Sequence, residues 1–87
     1  MNVLKVIEVT PKDNYRLYIR LSNGKCGHFD VAPYLDKGIF SELLDKNYFI
    51  QAKPGFGGVV WPNQQDFSAD TIEIELQEEK RITCEQA

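Results

Sequence analysis

With 87 residues, 43% of them hydrophobic and 26% charged, the chain has material for one thin core and too much apolar content for a disordered segment. No apolar run approaches the roughly 20 residues that cross a bilayer, and Met1-Asn2-Val3-Leu4-Lys5 lacks the long apolar stretch of a signal peptide, so a cytoplasmic protein is expected. The formal charge of −3 is uneven: residues 1–60 carry eight basic and six acidic side chains, residues 61–87 two basic and seven acidic, and that acidic final third disfavours nucleic acid as the main partner.

Leu4 to Val9 is rich in β-branched residues and predicts a first strand, ended by Thr10-Pro11. Pro11-Lys12-Asp13-Asn14 has the composition of a turn. In the next strand, Tyr15–Leu21, residues Leu17, Ile19 and Leu21 share one face, and Arg16, Tyr18 and Arg20 share the other. Ser22-Asn23-Gly24 then turns the chain into Lys25–Asp30. A two-residue Asn-Gly turn would set Leu21 opposite Cys26 and leave Phe29 on the wrong face. A three-residue loop with Gly24 left-handed pairs Leu17 with Phe29 instead. The second register is preferred, because burying Phe29 contributes about 2 kcal/mol, more than turn types usually differ.

Val31–Gly38 suits one helical turn, with Pro33 near its start. Phe40–Asp45 suits another, with Phe40, Leu43 and Leu44 on one apolar face. Tyr48–Ala52 reads as a strand, Lys53–Gly58 as a glycine-rich hairpin connection, and Val59-Val60-Trp61 as the returning strand, stopped by Pro62. The last element is two-sided. Ser68 can cap a helix with Asp70 in its first turn, yet Thr71-Ile72-Glu73-Ile74-Glu75-Leu76 alternates as a strand would. Residues 1–80 are expected to form one domain and 81–87 a frayed tail. Its core should include Leu17, Ile19, Phe29, Leu43, Leu44 and Trp61.

Three stretches taken together resemble the bacterial family known as domain of unknown function 2442. They are Asn14-Tyr15-Arg16-Leu17, Gly27-His28-Phe29-Asp30-Val31-Ala32-Pro33-Tyr34-Leu35, and Val60-Trp61-Pro62-Asn63 with Asp66-Phe67-Ser68-Ala69-Asp70-Thr71-Ile72. The resemblance covers about residues 2–77. It implies a β-meander, short helices, a second hairpin and a C-terminal helix, and it tips residues 69–77 to helix. It implies no established reaction. It implies that some relatives are fused to a helix-turn-helix domain, for which this chain has no room, and that some are encoded beside small toxin-like proteins. The chain departs from the pattern at Gln64-Gln65, where a glycine-containing turn is more usual, and at Glu73, where an aromatic is common.

The side chains that carry chemistry are few. His28 lies two residues from Cys26 and from Asp30, which is an alternating strand face and lacks an activated nucleophile. One His, two separated Cys and scattered carboxylates match no metal-ligand spacing, so neither metal nor cofactor is expected. Cys26 and Cys84 could pair arithmetically, but a cytoplasmic chain would keep both as free thiols. Gly55-Phe56-Gly57-Gly58 lacks the Lys-Ser/Thr of a phosphate loop and reads as a hairpin tip.

The expectation is therefore an α+β domain of two layers, an antiparallel sheet of about five strands under short helices, acting as a binding module and not an enzyme. Its first function hypothesis is protein interaction or regulation, with the antitoxin-like partner of a small basic toxin-like protein as one form of it, through Trp61, Asn63, Asp66, Glu75, Glu78 and Glu79. Trp61 doubles as a core anchor, and Asn63 and Asp66 as loop braces. The second is nucleic-acid binding on the stripe Arg16, Tyr18, Arg20 and His28, against the blander reading of a solvated sheet face. A monomer or weak homodimer without membrane contact completes the expectation.

Overall fold

The computed structural model describes residues 3–78. Strand β1 is Val6–Lys12, β2 is Arg16–Leu21 and β3 is Cys26–Asp30, forming the expected antiparallel meander. The β2–β3 register pairs Leu17 with Phe29, and the Leu21 N–H donates to the Lys25 carbonyl at 2.8 Å across a three-residue loop. Gly24 sits at φ +92° in that loop, as the bulged turn requires. Strand β1 starts and ends later than expected, running through Pro11. An edge strand tolerates this, since proline lacks only a donor that would face outward.

After β3 come two 3-10 segments, Ala32–Tyr34 and Gly38–Leu44, and a short helix α1, Lys46–Phe49. The strand expected at Tyr48–Ala52 is thus replaced by a helix and a turn. Asp45 decides this locally, because its carboxylate accepts the Asn47 N–H at 3.0 Å and caps the turn. Phe49 is then buried while Ile50 faces solvent. Leu44, expected in the core, is 53% exposed, because only Leu43 of that pair points inward from the tighter 3-10 turn.

A second sheet follows: β4 Lys53–Gly55, β5 Gly58–Val60 and β6 Asp66–Phe67. Helix α2, Ala69–Glu75, and a short strand β7, Gln77–Glu78, complete the described chain, with β7 adding to β3. The expected single sheet of about five strands is therefore two antiparallel sheets, ordered β1-β2-β3-β7 and β4-β5-β6. Strands β1 and β4 lie side by side, but Pro11 and Pro54 remove donors from the facing edges and β1 carries a bulge between Val6 and Glu8. The Val6 N–H reaches the Gly57 carbonyl (2.9 Å), and no continuous ladder forms there.

One core joins the two sheets. Leu17, Ile19 and Phe29 enter from the first, Val59 and Phe67 from the second, Leu43 and Phe49 from the helical pieces and Ile72 from α2. Phe29 and Phe67 meet edge to face with ring centroids 5.0 Å apart. Strand β6 passes so close to β5 that a Cβ on Gly58 would lie 2.1 Å from the Phe67 carbonyl oxygen, so only glycine fits there. No described helix is long and apolar enough to cross a membrane.

Candidate functional site

Helix α2 is set by its cap. The Ser68 hydroxyl accepts the Thr71 N–H at 3.2 Å, and Asp70 stands in the first turn, where the helix dipole favours a negative charge. As a strand, residues 71–76 would have buried Ile72, Ile74 and Leu76 together. As a helix they bury Ala69, Ile72 and Leu76, and turn Ile74 outward, where it is 83% exposed. Asp70 lies one turn before Ile74 on the same outer face, with Glu73 and Glu75 on either side of it. Glu73 is held by Asn23 Nδ2 (2.9 Å) and Lys25 Nζ (3.2 Å). Glu75 accepts the Tyr34 hydroxyl at 2.5 Å, and that bond, with burial and the carboxylate's charge, raises the Tyr34 pKa above its ordinary 10.0. The result is an exposed apolar side chain with Asp70 one turn before it and the tethered Glu73 and Glu75 as its chain neighbours.

The corner around Trp61 is built differently. Trp61 is 3% exposed, its Nε1–H donates to the Phe49 carbonyl at 3.0 Å, and its ring packs on Phe49 and Phe67. Asn63 braces the loop, donating its backbone N–H to the Tyr48 hydroxyl oxygen (2.8 Å) and its Nδ2–H to Glu42 (2.6 Å). Gln65, 1% exposed, joins the same network: its Nε2 donates to the Ile39 carbonyl (2.8 Å) and to Glu42 (2.9 Å), and its Oε1 accepts from Tyr48 (2.6 Å). Every polar end of Gln65 is satisfied, which is how a buried amide becomes a strut. Asp66 is exposed on β6, and Asp30 braces its loop by accepting the Ala32 N–H at 3.0 Å. Of the acidic interaction residues expected from the sequence, Glu75 is on the α2 surface, while Glu79 and the tail lie outside the described residues, as does Cys84.

The basic stripe is less open than expected. Arg16, Tyr18 and Arg20 do share a face with His28, but Tyr18 is 1% exposed and offers no ring for a base to stack on. Neighbouring strands close over it: the His28 ring meets it edge to face at 5.5 Å, and Lys12 Nζ lies 6.0 Å above its centroid. Arg20 Nε sits 3.2 Å from Glu8, so its charge is partly neutralised. Cys26, expected as a free thiol, is disulfide-bonded. Among the described residues, no group of three His, Cys, Asp or Glu side chains is placed to hold a metal ion.

The chain matches the family described as protein of unknown function, DUF2442, over residues 6–77. It belongs to that family. No curated protein and no solved structure matches it. The two departures of this DUF2442 domain from the family pattern now have local explanations. Gln64 occupies φ +80°, a conformation natural to glycine, and Glu73 ties α2 to the β2–β3 loop through Asn23 and Lys25. Sequence reasoning missed Ile74, Phe56 and the Glu42–Tyr48–Gln65 network. The signal for Ile74 was the conflict between its alternating pattern and the Ser68 cap.

Proposed function

We propose that this DUF2442 domain is a protein-binding module and not an enzyme, and that the outer face of α2 docks a small basic protein, in the manner of an antitoxin-like partner. Ile74 carries the reading. Its exposure is the consequence of a helix that the fold does need, so nothing in the core asks for an apolar residue there. With Asp70 one turn before it and Glu73 and Glu75 adjacent in the chain, it has the makeup of an interface with an apolar anchor and a charged rim. The excess of negative charge over residues 61–87 favours a basic partner and would speed its approach. Capture from a lysate of the source cells, with parent and Ile74→Ser baits compared by mass spectrometry, tests this. A basic protein retained by the parent at low salt and lost by Ile74→Ser supports the reading. Identical recovery by both baits rejects it.

A further inference from the structure

The outward face of the second sheet carries none of the residues on the outer face of α2, although Phe56 at its hairpin tip shares a hollow with Ser68, Ala69 and Asp70 at the start of that helix. Lys53 is the cross-strand partner of Val60, and Val60 of Asp66, so the three side chains form one row on one face. The neighbouring row, Pro54, Val59 and Phe67, faces the other way and supplies Val59 and Phe67 to the core. At the tip of the β4–β5 hairpin, Phe56 is fully exposed (102%) at φ +50°, followed by Gly57 at φ +83°. A two-residue loop with both residues left-handed ordinarily uses Asn-Gly. Phenylalanine there carries backbone strain and a bare aromatic ring at once. A ring this exposed gains little burial from the described residues, and strain kept for so little internal return points to function. Phe56, Lys53, Val60 and Asp66 also line one hollow of about 430 Å³ with Pro62 and the edge of Trp61.

We propose that this face binds the same face of a second copy of the chain, across a two-fold axis parallel to the strands. The charges select the arrangement. With strands about 4.8 Å apart, Lys53 and Asp66 stand at equal distances on opposite sides of Val60. A two-fold axis along the strand direction over Val60 lays each Lys53 on the partner's Asp66 and sets Val60 against Val60. It also brings the two Phe56 rings to the same end of the interface, where they pair. The alternative in-plane axis, across the strands, would stack Lys53 on Lys53 and Asp66 on Asp66. A surface with one cation and one anion symmetric about an apolar centre is thus its own complement, which is the requirement of an isologous dimer. The patch is small, so the dimer is weak and concentration-dependent.

Sedimentation of the full chain between about 10 μM and about 1 mM tests the proposal. The parent should shift from monomer to dimer across that range. Phe56→Asn should weaken association about tenfold or more while raising the melting temperature of the monomer, because asparagine accepts the left-handed turn. Lys53→Glu and Asp66→Lys should each weaken it about fivefold or more, by placing like charges in contact, and the double variant should return to within about threefold of the parent. A parent that stays monomeric throughout overturns the proposal, as does a double variant no stronger than the singles. A monomer whose Phe56 becomes protected only on adding a foreign protein overturns it in favour of that occupant.

Discussion

Single side chains fix several turns of this domain, and their conformations make sharp predictions. Gly24 at φ +92° has open space around its Cα, so Gly24→Val should destabilise through backbone strain alone, by about 1–2 kcal/mol in a urea titration. A silent Gly24→Val would remove the bulged turn from the account. Asn23→Asp should destabilise as well, because Asn23 donates to the Glu73 carboxylate and an aspartate would oppose it. Gln64→Gly should stabilise by up to about 1 kcal/mol by relieving the residue at φ +80°. Tyr34 adds a pH dependence. Its pKa is raised in the folded state, so the stability it contributes is complete below its unfolded value near 10.0 and is lost as pH rises through the folded value. Tyr34→Phe should remove one ionisation above the ordinary tyrosine value from the ultraviolet titration and flatten the alkaline loss of stability. If both curves are unchanged, the Tyr34–Glu75 bond is not made in solution.

At the scale of elements, the hairpin β2–β3 was legible because one argument, the burial of Phe29, chose between two registers. Phe29 is fully buried, stacks on Tyr34 and meets Phe67 edge to face, so Phe29→Ala should cost about 3–5 kcal/mol. A loss below about 1 kcal/mol would contradict the register. The segment 46–52 was not legible: Tyr48-Phe49-Ile50 has the β-branched and aromatic composition of a strand, and the capping carboxylate of Asp45, one residue upstream, outweighed it. Leu43 and Leu44 show the same limit, since a 3-10 turn and an α-turn put different neighbours inward. Leu43→Ala should cost about 2–5 kcal/mol and Leu44→Ala less than about 1 kcal/mol, a contrast that thermal denaturation would resolve. For helix α2 the pattern alone narrowly favoured a strand and only the resemblance tipped it to helix, and the residue left over from that conflict, Ile74, is the one that suggests a function.

Across the whole molecule, polar and charged groups divide into those the fold consumes and those it leaves. Trp61, Asn63 and Gln65 are consumed: each is tied to Phe49, Tyr48 or Glu42, and the corner they build is a brace between the helical segment and the second sheet. The stripe of Arg16, Tyr18 and Arg20 is largely consumed as well, through a buried ring and the Glu8 contact. The sequence singled these residues out, but it could not say that their hydrogen bonds close internally, because the partners lie 12 to 26 residues away. What remains outward is Ile74 with Asp70 on α2, beside Glu73 and Glu75 whose carboxylates are already held by Lys25 and Tyr34, and the tip and outer row of the second sheet. The central claim, that α2 meets a basic protein, is tested most directly by association kinetics between the captured partner and immobilised parent, Ile74→Ser and Glu75→Gln domains at two salt concentrations. Glu75→Gln keeps an acceptor for Tyr34 and removes only the charge. The account predicts a parent on-rate that falls several-fold from low to high salt, a smaller salt effect for Glu75→Gln, and a faster off-rate for Ile74→Ser. Equal rates for all three domains at both salt concentrations would contradict it.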